Sequence, residues 1–305
     1  MDSKKAFLLL AFGGADSIDD IGPFVTNVLK GRPVSDELIE KAKERYRLIG
    51  GRSPLLDITT AQAKAIESAA QSQGLPYKAY VGMRYWHPFI KETISKMKND
   101  GVTEAVALVM SPFLTKIATG GYQEDVKSIV RDLGGSPRIE FLSQWHLNVR
   151  FVDLLAKRIN SELSEAEKKD FLVIFSSHSL PMVALEGDPY ELQINQTVVE
   201  ILKKTGALDY KVSFQSRGAS PREWLGPNTE DIIAEAKKRG KKGVLIVPIG
   251  FVADHVETLY DIDIFFRSVA SENGLLFKRT PSFNSDPGFT GMLADLAIRH
   301  IERKQ

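Results

Sequence analysis

The sequence predicts an α/β protein of two lobes, each a four-stranded parallel sheet flanked by helices. Three observations carry that expectation. Short apolar runs alternate with helix-period segments along the 305 residues, the pattern of repeated βα units. Runs such as Phe171-Leu172-Val173-Ile174-Phe175 and Gly243-Val244-Leu245-Ile246-Val247-Pro248-Ile249 are apolar throughout rather than at alternate positions, as in parallel strands covered on both faces. The runs also fall into two similar sets.

In chain order, strands are expected at 6–12, 77–84, 105–110 and 138–142, then at 171–176, 211–215, 243–249 and 275–279. Within the first set, Lys78-Ala79-Tyr80-Val81-Gly82-Met83-Arg84 leads to a loop with Pro88 and a helix; in the second, Lys211-Val212-Ser213-Phe214-Gln215-Ser216-Arg217 leads to Pro221 and a helix. Each of those helices ends at a glycine, Gly101 or Gly240, before a fully apolar strand. This points to an internal duplication. The charged connection 160–170 is the expected boundary, giving lobes 1–163 and 164–305. Two such lobes facing each other would make a cleft.

Composition narrows the chemistry. Forty basic and 39 acidic residues leave a formal net charge of +1, which gives no reason to expect nucleic acid or strong non-specific membrane binding. Zero cysteines exclude disulfides, thiolate zinc sites, cysteine nucleophiles and a cysteine-ligated iron–sulfur cluster, so any metal must meet nitrogen and oxygen ligands. No apolar stretch approaches the roughly 20 residues of a membrane span. A cytoplasmic protein is expected, with peripheral membrane contact compatible with the sequence.

The most informative stretches are Ser176-Ser177-His178-Ser179-Leu180-Pro181 and Gly250-Phe251-Val252-Ala253-Asp254-His255-Val256-Glu257-Thr258-Leu259-Tyr260-Asp261. Both follow buried-strand runs and should emerge at the carboxyl edge of one sheet, where open α/β sheets bind ligands. Imidazole and carboxylate there can remove protons, hold a divalent metal, or both. Asp254 and Glu257 also have the spacing of a capping box, and Glu257 and Asp261, four apart, would share one helical face. Other motifs fail. Phe12-Gly13-Gly14-Ala15-Asp16 is not a dinucleotide fingerprint, there is no phosphate-binding lysine loop, and Ser177 and Ser179 lack the G-x-S-x-G elbow that exposes a serine nucleophile. His87, His146, His255 and His300 show no metal-ligand spacing with each other; His146 and His300 read as surface or packing residues.

The chain resembles the ferrochelatases, which insert ferrous iron into a porphyrin. The likeness rests on Ser177-His178-Ser179-Leu180-Pro181, on Phe214-Gln215-Ser216-Arg217 with Trp224-Leu225-Gly226-Pro227, and on Pro248-Ile249-Gly250-Phe251-Val252-Ala253-Asp254-His255-Val256-Glu257-Thr258-Leu259-Tyr260-Asp261; it extends to Gly50-Gly51-Arg52-Ser53-Pro54-Leu55. The short form, without a carboxy-terminal anchor or cysteine cluster, is most similar to bacterial coproporphyrin ferrochelatases. The resemblance implies two Rossmann-like lobes of the chelatase type, a porphyrin cleft, no required cofactor, Fe2+ as a substrate, and a monomer. It also implies that His178 and Glu257 are catalytic and contact the metal, with Asp261 as a further candidate ligand. Phe12, Arg32, Arg45, Ser53, Arg84, Tyr122 and Trp224 match positions of the porphyrin site, the arginines, Ser53 and Tyr122 as propionate partners. The amphipathic segment 21–29 would form a lip over the ring.

Two positions depart from the family pattern. Phe12 stands where related coproporphyrin enzymes have a tyrosine, and Phe265 where relatives offer another carboxylate, so an axial tyrosine is absent and an outer metal site loses a ligand. A tetrapyrrole chelatase for another divalent metal, or a non-catalytic porphyrin or haem carrier, remain alternatives at the level of sequence.

Overall fold

The computed structural model describes residues 4–142, 144–218 and 221–303. Eight strands form two four-stranded, wholly parallel sheets. The first contains β1 (Lys5–Ala11), β2 (Lys78–Met83), β3 (Glu104–Val109) and β4 (Arg138–Leu142), in the order β2-β1-β3-β4. The second contains β5 (Phe171–His178), β6 (Tyr210–Gln215), β7 (Gly243–Pro248) and β8 (Leu276–Arg279), in the order β6-β5-β7-β8. Each expected strand is present, its ends within two residues of expectation. The two orders are one plan used twice, as the internal similarity predicts.

Hydrophobic pattern and sheet position agree. The central strands β1, β5 and β7 are buried almost end to end, which is why they read as uninterrupted apolar runs. Edge strands β4 and β8 are partly exposed and carry charge, a composition that discourages further strand pairing. Helices complete the layers. In the first unit, Ile90, Ile94 and Met97 of one helix and Tyr122 and Val126 of another pack on Leu8, Leu10, Ala107 and Val109 of the sheet. In the second, Ile232, Ile233 and Ala236 pack with Ile262 and Phe266 on Leu172, Ile174, Val244 and Ile246.

The chain divides into two compact units, but not at residue 163. One contains 4–111, 118–142 and 284–303; the other contains 112–117, 144–218 and 221–283. Helix Val149–Glu162 therefore belongs with the second sheet and helix Pro287–Glu302 with the first. Local contacts explain both. Arg158 lies 4.2 Å over the Phe283 ring and donates to Pro281 O at 3.1 Å, while Asp153 pairs with Lys204 at 2.6 Å. Gln62 Nε2 donates to Asn284 O at 2.7 Å, and His300 meets Glu140 of β4 at 3.4 Å. A charged helical linker and an amphipathic packing helix look alike in composition, so the sequence places the cut one helix late.

Candidate active site

In a sheet of order 2-1-3-4, successive connections leave the first and third strands in opposite directions, and the crevice beyond their carboxyl ends is where such folds bind ligands. In the second sheet that point lies between β5 and β7. His178 is the last residue of β5, and Gly250 to Glu257 follow β7.

The chain is held there by buried polar contacts. Ser177 donates to the Tyr190 hydroxyl at 2.6 Å, and that hydroxyl donates to His178 O at 3.0 Å; Ser179 Oγ donates to Leu225 O at 2.7 Å. Both serines are fully buried, so they orient the strand end around His178 and do not act as nucleophiles. Beyond Pro248, Ile249 N–H turns back to Val247 O at 2.9 Å. Gly250 then passes so close to β5 that a Cβ there would lie 2.2 Å from Ser177 Oγ, a direct reason for glycine at that position.

Glu257 opens a π-helix, Glu257–Phe266. Such i→i+5 windings are rare and recur at functional sites. The expected capping box is not what anchors this helix. Asp254 Oδ1 instead receives the Ser282 hydroxyl at 2.7 Å, the Thr258 hydroxyl at 3.1 Å and the Arg279 guanidinium at 3.2 Å, while His255 N–H donates to Thr258 Oγ1 at 3.0 Å. A second network lies beneath. Ser176 donates to Gln215 Oε1 at 2.6 Å, Gln215 Nε2 donates to Glu257 O at 3.1 Å, and the Ser216 hydroxyl bonds to Asp261 Oδ2. Ser216 adopts a left-handed φ of 59°, a conformation costing on the order of 1–3 kcal/mol outside glycine and concentrated at functional sites.

The result is one carboxylate between two imidazoles. His178 Nδ1 lies 3.3 Å from Glu257 Oε2, and His255 Nε2 lies 3.9 Å from the same oxygen. Nδ1 of His178 is itself buried and makes no aligned hydrogen bond, although the side chain as a whole is 37% exposed. Long or misaligned contacts of this kind are common in catalytic pairs before substrate arrives. Burial drives the His178 imidazole down, but the charge and hydrogen-bonding capacity of Glu257, with Asp261 behind it, outweigh burial and hold it above its ordinary value. His255 goes the other way. Burial lowers it, and the Glu257 charge and its contact with Ala253 O at 3.1 Å do not recover the difference.

The other expected site residues sit as follows. Asp261 is buried beside Ser216. Trp224 is half-buried; Pro181 and Trp224 form a β-bridge, and its ring leaves no room for a Cβ on Gly218. In the first unit, Phe12 is 43% exposed and meets the rings of Tyr85, tilted, at 4.6 Å and Phe24, edge-on, at 6.4 Å between centroids; the helix of the expected lip is Ile21–Val28. Arg84 is nearly buried, donates to Asp125 at 2.7 Å and lies 5.2 Å over the rings of both Tyr85 and Tyr122. Burial raises the Tyr122 phenol well above its ordinary value. Ser53 is buried against Gly14 and accepts from Leu55 N–H at 3.3 Å. Arg32 and Arg45 are exposed. Among these contacts, Tyr190 has no signal in the sequence and becomes visible only when β5 and helix Tyr190–Thr205 come together; His255 and Gln215 lie within quoted motifs, but their polar contacts to the site appear only in the folded chain.

Among the described residues, no group of three His, Cys, Asp or Glu side chains is arranged to hold a metal ion, and no helix is long and apolar enough to cross a membrane.

The ferrochelatase family model matches residues 4–301. The chain belongs to the ferrochelatase family. Among its relatives, the ferrochelatase of Deinococcus radiodurans is 36% identical over 97% of this chain and 95% of that protein. The coproporphyrin III ferrochelatases of Geobacillus sp. and Halalkalibacterium halodurans are 34% and 35% identical, covering 98% and 100% of both partners respectively. The similarity to the sirohydrochlorin chelatase SirB of Bacillus subtilis subspecies spizizenii, solved with cobalt, has a TM-score of 0.59 at 11% identity, covering 99% of this chain and 98% of that one. That identity speaks to fold alone. The family is one of metal chelatases, in agreement with the activity and the two-sheet fold expected from the sequence.

Proposed function

We propose that this protein inserts ferrous iron into coproporphyrin III and releases two protons, a step of haem biosynthesis. The observation that carries this reading is the His178–Glu257 contact at 3.3 Å at the ligand-binding edge of the second sheet, in a chain with full-length relatives named coproporphyrin III ferrochelatase.

Metallation replaces two pyrrole N–H protons with one divalent cation, so the site must accept protons and tolerate arriving positive charge. A neutral His178 imidazole accepts a pyrrole proton, and the Glu257 carboxylate stabilises the imidazolium at contact distance. His255, whose ring burial makes harder to protonate and whose Nδ1 faces Ala253 O at 3.1 Å, offers Nε2, 3.9 Å from the Glu257 carboxylate, as a second proton acceptor. Iron enters as a substrate, with His178 and Glu257 as its first protein contacts and Asp261 in the next turn of the π-helix. Arg32 and Arg45, being exposed cations, are the propionate partners, and Phe12 and Trp224 supply apolar surface to the ring.

Anaerobic incubation of the purified protein with Fe2+ and either coproporphyrin III or protoporphyrin IX, followed by absorbance, tests this directly. The expected outcome is metallation with coproporphyrin preferred. Turnover only with cobalt, or ring binding without metallation by any divalent metal, would overturn it.

A further inference from the structure

The network that anchors the start of the π-helix through Asp254 extends, through Arg279, to Asp263 within that helix. Arg279, the last residue of β8, donates through Nε to Asp263 Oδ1 at 2.7 Å and through Nη2 to Asp263 Oδ2 at 2.8 Å, a bidentate pair. Its Nη1 donates to Asp254 Oδ1 at 3.2 Å and to Ser282 Oγ at 3.2 Å. The three charged side chains are only 13%, 25% and 17% exposed for Arg279, Asp263 and Asp254. This is a shielded clamp, not a solvated surface pair.

Its placement gives it a role. Asp254 precedes the π-helix and Asp263 lies within it, and Glu257 is between them in the chain. Thr258, next to Glu257, donates to the same Asp254 oxygen at 3.1 Å. The guanidinium thus ties both sides of Glu257 to a strand of the sheet: β8 pairs with β7 in a register that puts Arg279 opposite Ile246. We propose that Arg279 is a positioning residue for the proton-handling pair, fixing the start of the π-helix so that Glu257 carries its carboxylate to His178. Two carboxylates on one planar fork require arginine; a lysine ammonium can serve as a point charge but cannot bridge them bidentately. The proposal rests on the reading of His178 and Glu257 given above.

The test uses the full-length protein with Arg279→Met and Arg279→Lys. Hydrogen exchange followed by mass spectrometry reads the clamp without reference to activity: peptides covering 254–266 should exchange at least about fivefold faster in Arg279→Met and to an intermediate degree in Arg279→Lys, because the local opening free energy falls, while β5 and β7 stay protected. Turnover reads the consequence. The kcat should fall on the order of tenfold or more, as expected when a catalytic group is displaced by a fraction of an ångström to an ångström. The porphyrin KM should stay within about twofold, and lysine should recover part of the loss. Unchanged exchange across 254–266, or a wild-type kcat per folded molecule, overturns the proposal. Should Arg279→Met fail to fold, Asp263→Asn breaks the bidentate pair and is held to the same two outcomes. A wild-type protein that metallates no ring would defeat the proposed function instead, and the exchange measurement would still decide the clamp.

Discussion

Replacing Glu257 with glutamine removes the charge facing His178 while keeping nearly the same shape. At 3.3 Å, the bare attraction between imidazolium and carboxylate is about 5 kcal/mol for an effective dielectric of about 20. A His178 side chain that is 37% exposed is screened by water, and burial opposes its charged form, so the net effect is smaller, nearer ~1–2 kcal/mol. The sign is fixed by the causes. Burial continues to depress His178 in the variant, the Glu257 charge that raised it is gone, and only Asp261 still favours protonation. The His178 titration should therefore move down, and kcat should fall about 100- to 1000-fold, the range for loss of a group that assists proton transfer. Because the wild-type imidazole is raised by folding, its contact with Glu257 stabilises the fold fully below the unfolded-state value and loses that effect as pH rises through the folded value. Urea denaturation should therefore separate the two proteins more at pH 5.5 than at pH 8.5. The decisive measurement is an NMR pH titration of the His178 ring C–H in both proteins without metal. An unmoved or raised midpoint would refute the assignment of Glu257 as the group that sets His178.

Further expectations follow from individual contacts. His178→Ala should abolish metal insertion while leaving porphyrin affinity, measured by fluorescence titration, within several-fold; wild-type turnover would remove the imidazole from the chemistry. Gly250→Ala must displace a Ser177 hydroxyl that is fully buried and bonded to Tyr190, so a loss of about 1–3 kcal/mol is expected in urea denaturation, and unaltered stability would show that β7 does not approach β5 this closely. Arg45→Ala and Arg32→Ala should weaken coproporphyrin more than protoporphyrin, because the former carries four propionates and the latter two. Being exposed, each should contribute less than about 1 kcal/mol, and equal weakening of both rings would mean that they do not read propionate number. Phe12→Tyr should leave the chelation rate within a few-fold and Phe12→Ala should mainly weaken the ring; a large gain from the tyrosine would mean that Phe12 impairs iron insertion.

The central strands β1, β3, β5 and β7 were legible because a parallel strand buried on both faces leaves a nearly unbroken apolar run; the shorter, partly exposed edge strands were legible from their place between helix-period segments. His178 and Glu257 were legible for a related reason: polar residues that directly follow such runs must emerge at the carboxyl edge of a sheet. The lobe boundary was not, since which sheet Val149–Glu162 and Pro287–Glu302 cover depends on long-range partners such as Phe283 and Gln62. The partners of Arg84 were not legible either, for a different reason. An arginine beside aromatics at a strand end has the composition of an anion site, but Asp125 and Tyr122, which take up its charge and its flat face, lie about forty residues on. The π-helix was also hidden, because the spacing of Glu257 and Asp261 suits an α-helix as well.

Sharing one strand order does not give the two sheets one chemistry. At the end of β5 stands His178, whereas the end of β1 is followed by Phe12; after β7 comes the glycine turn that leads to Glu257, whereas after β3 comes Met110-Ser111-Pro112-Phe113 with no titratable side chain. The same crevice position is thus polar in one sheet and apolar in the other. Fold similarity at 11% identity to a sirohydrochlorin chelatase is then what the physics leads one to expect, because the scaffold fixes where a ligand can bind while a few residues at strand ends fix what happens to it. It follows that exchanging sheet-core residues of β5 or β7 for others of equal volume should alter stability and leave the choice of metal and ring unchanged. That choice should move only with residues at the carboxyl edges, His178, Glu257 and Phe12 foremost.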